Sequence, residues 1–166
     1  MSGFFIEPLA ARHDRKSFDC GEESLNDYLK RYARQNAANG SSRTYVAVQP
    51  DENQICGYFT LSAGTVALTD FPAEVRSGWP RLVPSVHLGR IVVDLRFQRQ
   101  RLGNALMTAV LETAVEASDL IGIAVVELRL LNDSVRGFYE RFNFAPLTDN
   151  PAHLYLSLDT ARETLA

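Results

Sequence analysis

Three arginines crowd the short segment that separates an apolar run from a strongly helical one. The apolar run Val86–Asp94 predicts a buried strand, the segment Leu95–Gly103 a loop, and the residues from 103 to 119 a helix. The first-turn N–H groups of a helix are unpaired and its dipole favours negative charge, so this arrangement predicts an anion-binding cradle. A solvated basic loop on a structural turn is the alternative. The loop arginines are Arg96, Arg99 and Arg101.

A second feature that could carry chemistry is a tyrosine on a later helix. Asn132-Asp-Ser supplies N-cap residues for a helix with apolar positions at i, i+3, i+4 and i+7, and Tyr139 is one of these positions. A phenol with a pKa of about 10 can donate a proton without losing it beforehand. A tyrosine at such spacing is also an ordinary core residue, and Asn132 is an adequate cap in its own right.

The other common catalytic motifs are missing. No GxxxxGK[ST] occurs and no GxGxxG follows a strand, so nucleotide triphosphate and NAD sites have no direct support. Cys20 and Cys56 are far apart and without a CxxC, which predicts two free thiols in a reducing cytoplasm. The histidines, His13, His87 and His153, have no metal-ligand spacing. His87 and His153 lie in strand-like runs, which favour core or edge positions over a role as general bases.

Four blocks, in their order and spacing, resemble the GNAT superfamily of acyl-CoA N-acetyltransferases. They are Leu88-Gly-Arg-Ile-Val-Val-Asp94, Gln98-Arg-Gln-Arg-Leu-Gly103, Leu130-Leu-Asn-Asp-Ser134 and Gly137-Phe-Tyr-Glu-Arg-Phe-Asn-Phe144. Two further blocks, Phe18–Leu29 and Gly57–Ser62, are similar to the toxin branch of that superfamily. Members of the branch acetylate the amino group of aminoacyl-tRNA and are held in check by a ribbon-helix-helix antitoxin. The resemblance therefore implies acetyl-CoA as donor, no metal, these two partners and a homodimer.

The resemblance also implies a set of site residues. The strand residues would splay from the next strand to admit the pantetheine arm, the loop and first helical turn would receive the pyrophosphate, and Asn132 would bond the pantetheine. Tyr139 would protonate the departing CoA thiolate. The family loop usually has glycine at the position of Arg101, where the backbone takes unusual dihedral angles. The implied strand and loop residues are Ile91, Val92, Val93, Gln98, Arg99, Gln100, Arg101, Leu102, Gly103 and Asn104.

The charge distribution bears on the acceptor. The net charge of -3 argues against a protein that coats nucleic acid, but residues 1–105 carry 13 basic and 11 acidic side chains whereas residues 106–166 carry 4 and 9. A tRNA must meet basic surface, and its binding should weaken steeply with salt. Some of the basic residues are also simple partners of a helix C-terminus. The candidate tRNA contacts are Arg12, Arg15, Lys16, Lys30, Arg31, Arg34, Arg43 and Arg81.

Three functions fit these features. The first is an aminoacyl-tRNA acetyltransferase that blocks translation as a toxin. The second is a GNAT enzyme that acetylates a small amine or a peptide N-terminus. The third is a protein of GNAT-like fold that binds CoA or a partner without catalysis. Tyr139 argues against the third function, whereas Arg101 leaves it open.

The elements that must position these residues predict a mixed α/β fold in a single domain over residues 1–166. Its sheet is expected to be mixed, mostly antiparallel and splayed between two central strands, with helices on both faces. Residues 70–86 are expected to form an irregular connector with one helical turn. The further predicted strands are 4–9, 44–49, 55–69, 124–131, 144–147 and 153–158, and the first predicted helix is 22–38.

Composition excludes several classes of protein. Hydrophobic residues make up 46% and charged residues 22% of 166, as in globular proteins with a buried core. The longest stretch without a charge, 53–69, contains polar residues and does not resemble a membrane span. The N-terminus has no basic n-region, so we expect no signal peptide and a cytoplasmic location.

Overall fold

Runs of β-branched and aromatic residues form the strands of a mixed sheet in the computed structural model, which describes residues 3–166. Within that range the sheet has seven strands in the order β1-β2-β3-β4-β5-β7-β6. The strands are β1 (Phe5–Pro8), β2 (Arg43–Val48), β3 (Gly57–Ala67), β4 (Leu82–Val93), β5 (Val125–Arg129), β6 (Ala145–Pro146) and β7 (His153–Ser157).

The pairing of the strands confirms the predicted mixed, mostly antiparallel sheet. β1 with β2, β2 with β3, β5 with β7 and β6 with β7 are antiparallel. β4 and β5 are parallel, and their register runs only from Ser85↔Val125 to His87↔Glu127. Both strands continue past this last pair, β4 to Val93 and β5 to Arg129. The place beyond His87↔Glu127, where the register ends, is called the fork below.

The first helical segment has an unexpected π turn. The predicted helix 22–38 consists of α1 (Glu23–Asp27), a π-helical stretch (Tyr28–Tyr32) and α2 (Ala33–Ala38). A π turn takes up an extra residue and rotates the positions that follow it. Tyr32, the last residue of the π-helical stretch, is 51% exposed.

The remaining helices agree with the sequence at α3 and differ at the chain's end. α3 (Leu102–Ser118) begins one residue earlier than predicted. α4 (Arg136–Glu140) ends early because Asn143 adopts the left-handed conformation, with φ 73, so Phe142 lies outside the helix. The prediction that the chain closes with strands is wrong. α5 (Leu158–Leu165) follows β7, and the hydroxyl of its N-cap Ser157 accepts a hydrogen bond from the N–H of Thr160 at 3.1 Å.

The predicted irregular connector, residues 70–86, ends earlier in the structure than the sequence suggested. β4 begins at Leu82, and Pro84 lies within it. A proline removes a ladder donor, which is why the sequence argued against a strand here. The Pro84 carbonyl still accepts a hydrogen bond from the N–H of Ala124 at 2.9 Å. The helical turn expected in the connector is a 3₁₀ turn over Ala73–Val75.

The described chain forms two compact units, each with its own apolar cluster. The first unit comprises the residues up to Ser62 together with Gly89–Val110, and the second comprises Ala63–Leu88 with Leu111–Ala166. Phe18, Leu29, Val46, Ile55 and Tyr58 belong to the cluster of the first unit. Phe71, Val83, Val125, Leu147 and Tyr155 belong to that of the second. The single domain over residues 1–166 stays a prediction.

Gly57 allows a close approach within the first unit. A Cβ atom there would lie 2.9 Å from the Val92 carbonyl oxygen and 3.0 Å from Cδ1 of Leu106. We expect Gly57→Ala to lower the free energy of unfolding by about 1–3 kcal/mol, because a backbone atom must move to relieve the contact. Urea denaturation measures the loss. Gly122→Ala is the matched control, since its Cβ would meet nothing within 4 Å, and equal stabilities of the two variants would contradict the packing.

Candidate active site

Asp94 anchors the loop between β4 and α3. Its carboxylate is fully buried and accepts hydrogen bonds from the backbone N–H and guanidinium of Arg96, at 2.8–2.9 Å, and from the N–H of Asp19 at 3.0 Å. The N–H of Leu95 in turn donates to the Asp19 carbonyl oxygen at 2.8 Å. Burial by itself would raise the pKa of Asp94, but these hydrogen bonds outweigh it and the pKa is lowered. A charged carboxylate therefore holds the base of the loop.

The loop keeps a glycine-like backbone without glycine. Arg99 and Arg101 have positive φ angles of 65 and 61. Arg101 occupies the position where the resembled family has glycine, and it adopts a conformation that glycine favours. The strain of a side chain there costs about 1–2 kcal/mol per residue. Arginine at position 101 therefore takes a backbone conformation typical of glycine and adds a positive charge to the loop.

Substitution of Arg101 tests this backbone conformation. We expect Arg101→Gly to be more stable than Arg101→Ala by about 1 kcal/mol, because both remove the guanidinium but only glycine relieves the strain. Urea unfolding of the two variants measures the difference. Equal or reversed stability would show that residue 101 does not hold a positive φ.

The predicted cofactor residues, apart from Asn132, lie on one continuous segment of the first unit. Val92 is buried in the apolar cluster, whereas Ile91 and Val93 are half-buried at the end of β4. The Gln98 side-chain amide donates to the Val93 carbonyl oxygen at 3.2 Å, and that of Gln100 to the Arg96 carbonyl oxygen at 3.4 Å. Leu102, Gly103 and Asn104 form the first turn of α3, whose N–H groups lack intrahelical partners. This segment has the shape of an anion cradle.

Tyr139 lies in the second unit on α4, with its ring buried and 9% exposed. The ring contacts Phe138 and Phe144 edge-on, with centroids 5.1 and 5.9 Å away. Burial raises the pKa of Tyr139 to about 12, so the phenol keeps its proton at neutral pH. Within the described residues its hydroxyl makes no hydrogen bond. Tyr139 is therefore a protonated donor without an internal acceptor.

Asn132 acts as a helix cap, as its position predicted. Its Oδ1 accepts hydrogen bonds from the N–H of Ser134, at 3.0 Å, and from the Ser134 hydroxyl. Arg136 fixes the same turn by donating to Asp133 and to the Pro151 carbonyl oxygen, both at 2.8 Å. The side chain of Asn132 is exposed, and its role toward a cofactor stays a prediction.

The basic candidates fall on both units. Arg34 and Arg43 line one groove of about 590 Å³ beside β2. Arg15 donates to the Lys30 carbonyl oxygen at 3.0 Å. Three of the candidates contact acidic side chains. Arg12 pairs with Glu7, Arg31 lies 3.8 Å from Asp27, and the backbone N–H of Lys16 donates to the Asp14 carboxylate. Arg81 is exposed in the second unit. The structure therefore brings Arg34 and Arg43 together.

Sequence reasoning missed a chain of ionisable side chains in the second unit. Glu127 lies between His87 and His153, and His153 also contacts Asp149. These residues come from three strands and a loop, so no spacing along the chain predicts their contact. The available signal was a histidine interrupting the apolar run at 86–94 and a glutamate interrupting that at 124–131.

Residues 3–166 show neither a metal-ligand cluster nor a helix suited to a membrane. No group of three or more histidine, cysteine, aspartate or glutamate side chains there could hold a metal ion. No helix in the same range is long and apolar enough to cross a bilayer. Cys20 and Cys56 are free thiols, as the sequence predicted.

A buried strand that leads through a basic loop into a long helix, and a protonated tyrosine on a later helix, are features expected of an acyl-CoA-dependent transferase. The family model described as the acetyltransferase (GNAT) family matches residues 10–144, and the chain belongs to this family. The predicted fold and superfamily are thereby confirmed.

Individual relatives are similar along nearly the whole chain. A protein of Mycobacterium tuberculosis (strain ATCC 25618 / H37Rv) named tRNA-acetylating toxin is 36% identical over 163 residues, which are 98% of this chain and 97% of the relative. The structure of AtaT complexed with acetyl-methionyl-tRNAfMet has a TM-score of 0.91 at 28% identity and covers 98% of this chain and 99% of its own. A tyrosine-to-phenylalanine variant of AtaT, bound to the C-terminus of the antitoxin AtaR and acetyl-CoA, has a TM-score of 0.84 at 28% identity and covers 98% of both chains.

Proposed function

We propose that the protein transfers the acetyl group of acetyl-CoA to the amino group of aminoacyl-tRNA and thereby acts as a toxin that blocks translation. The observation that carries this proposal is the 36% identity to a tRNA-acetylating toxin over 98% of the chain. A fold by itself does not specify a substrate, but the similarity to this relative extends over nearly the whole of both chains. The loop and Tyr139 supply the chemistry that such an enzyme needs.

The donor is held by the segment from Ile91 to Asn104. The pyrophosphate binds the first-turn N–H groups of α3, and Arg99 and Arg101 add charge-assisted contacts. The pantetheine arm enters at the fork and bonds backbone groups that the end of the β4–β5 register leaves available, in the manner of an added strand. Its thioester then lies near the fork, where a strand N–H polarises the carbonyl. Asn132 bonds the pantetheine.

Tyr139 acts as the general acid. The acceptor nitrogen attacks the thioester carbon, the C–N bond forms, and the C–S bond breaks with its electron pair on sulfur. The Tyr139 hydroxyl protonates this thiolate. A phenol whose pKa is about 12 is a weak acid, so the proton that the attacking nitrogen sheds must restore it. The high pKa ensures that the donor is still protonated when the thiolate forms.

The acceptor end of the tRNA meets basic side chains. Arg34 and Arg43, which line one groove, are the first candidates, and binding that depends on phosphate contacts falls steeply with salt. The other proposed contacts are Arg12, Arg15, Lys16, Lys30, Arg31 and Arg81. Because Arg12 and Arg31 already lie beside acidic side chains, we expect smaller contributions from them.

The same proposal extends to partners and location. We propose a ribbon-helix-helix antitoxin, a homodimer, a cytoplasmic location and a single domain over residues 1–166. The complex of AtaT with the C-terminus of AtaR supports the antitoxin as a class of partner. The type of antitoxin and the dimer follow from the resemblance to the toxin branch, and the two free thiols fit a reducing compartment.

Expression in bacteria tests the toxin function. We expect the wild type and the control Tyr32→Phe to arrest growth, and Tyr139→Phe to permit it. Tyr32 is a suitable control because its ring is half-exposed on the helical segment of the first unit. Normal growth with the wild type would favour a small amine or a peptide N-terminus as acceptor. Arrest by Tyr139→Phe would contradict the role of its hydroxyl.

A further inference from the structure

A histidine at the fork is joined to a buried carboxylate that is itself clamped by a second histidine. His87 Nδ1 lies 2.6 Å from Glu127 Oε2, and His153 Nε2 lies 2.7 Å from Glu127 Oε1. His153 Nδ1 continues to Asp149 Oδ2 at 3.0 Å. Glu127 and His153 are each 6% exposed, whereas the His87 side chain is 36% exposed. The chain of contacts therefore runs from the interior of the second unit to one accessible imidazole.

The contact with Glu127 determines which nitrogen of His87 carries a proton. An ionised carboxylate only accepts hydrogen bonds, so the proton of neutral His87 lies on Nδ1 and the lone pair on Nε2. Nε2 has no hydrogen-bond partner within residues 3–166. A partly exposed imidazole nitrogen with a free lone pair is a proton acceptor, and the carboxylate behind it stabilises the charge that follows.

The two histidines keep Glu127 ionised. Burial would raise the pKa of Glu127, but its hydrogen bonds with His87 and His153 are among the interactions that outweigh burial and lower it. Beyond His153, Asp149 lies 3.7 Å from the guanidinium of Arg129. These are the charged groups that face Glu127 and the histidines from β4, β5, β7 and the loop before β7. Glu127 is therefore a fixed negative charge next to Nδ1 of His87.

His87 lies where the parallel pairing of β4 with β5 ends. His87↔Glu127 is the last pair of the parallel register, and both strands continue past it. The proposed function directs the thioester toward this fork. An amine that attacks the thioester must first lose a proton, because an ammonium has no lone pair. The transfer therefore needs a base, and His87 lies at the end of the register to which the proposed function directs the thioester.

We propose that His87 is the general base of the transfer and that Glu127, clamped by His153, positions it. This inference rests on the proposed function. His87 Nε2 takes one proton from the acceptor ammonium, and the freed lone pair forms the C–N bond as the C–S bond breaks. Tyr139 protonates the sulfur and regains a proton from the nitrogen, which loses its second one. His87 then returns its proton to solvent, so that one proton is released per acetyl group transferred.

The test is the pH dependence of single-turnover acetylation of bulk aminoacylated tRNA by the wild type and His87→Asn. Asparagine keeps an N–H near Nδ1 for Glu127 and has no basic nitrogen. We expect His87→Asn to be about 10²-fold slower near neutral pH. The gap should narrow as the pH rises toward about 9, because more of the amine is then deprotonated in solution. Added imidazole should restore part of the rate, and Glu127→Gln should lower kcat with little change in KM.

Each outcome decides one question. Acetyl-CoA titration and thermal unfolding of His87→Asn should match the wild type, since a fold defect would change both. If the wild type is active and His87→Asn acetylates at the same rate at every pH, the role of His87 is overturned but the proposed function is not. A variant equally slow at every pH and not restored by imidazole would overturn the role of His87 too, in favour of a structural role. A wild type inactive on aminoacylated tRNA would instead overturn the proposed function.

Discussion

Tyr139→Phe is expected to slow acetyl transfer by about 10²- to 10⁴-fold, the contribution of a positioned general acid. The substitution removes one hydroxyl and leaves the ring contacts with Phe138 and Phe144 in place. That hydroxyl makes no hydrogen bond within the described residues, so its loss leaves no buried partner unsatisfied. Acetyl-CoA affinity and thermal stability should stay close to those of the wild type.

Single-turnover kinetics with saturating acetyl-CoA measure this effect on the chemical step. Tyr155→Phe is a matched control, because Tyr155 is also 9% exposed and its pKa is also raised, mainly by burial. Its hydroxyl has no role in the proposed transfer, and its ring packs edge-on against Phe71 at 5.0 Å. A Tyr139→Phe enzyme as fast as Tyr155→Phe would refute the acid role.

Asp94→Ala is expected to have the largest effect on stability, a loss of about 3 kcal/mol. It removes a fully buried carboxylate that accepts hydrogen bonds from Arg96 and from the N–H of Asp19, and it leaves both backbone N–H groups without that acceptor. The base of the cradle loop loses its anchor at the same time, so acetyl-CoA affinity should fall as well. Asp133→Ala is the control, because the Asp133 side chain is 83% exposed.

The same carboxylate has a signature in the pH dependence of stability. The pKa of Asp94 is lower in the folded protein than its ordinary value, so its stabilisation is present above about pH 4 and is lost as the pH falls through the lowered pKa. Urea unfolding at a series of acidic pH values should show that the free energy of unfolding falls less with decreasing pH for Asp94→Asn than for the wild type. Parallel curves for the two proteins would contradict this.

The parts of the site that come from local sequence could be predicted. The strand, loop and helix around residues 91–104 are continuous in the chain, and Asn132 caps the helical turns that carry Tyr139. The Arg101 backbone illustrates the limit. Its residue type argues against a positive φ, and the surrounding structure imposes one of 61.

The parts that depend on tertiary contacts could not be predicted. His87, Glu127 and His153 lie on separate strands, and only their pairing in the sheet brings them together. Pro84 argued against a strand, so the beginning of β4 could not be predicted. α5 follows β7 directly at Ser157, with no break in the sequence between the two elements. In each case tertiary packing overrides the local preference of the sequence.

Mass spectrometry of aminoacylated tRNA tests the central claim most directly. Bulk charged tRNA is incubated with acetyl-CoA and either the wild type or Tyr139→Phe, and the aminoacyl groups are then analysed. With the wild type we expect the mass of one acetyl group on the α-amino group of at least one aminoacyl-tRNA, and with Tyr139→Phe little or none. Unmodified aminoacyl groups after incubation with a wild type that binds acetyl-CoA would contradict the proposed function.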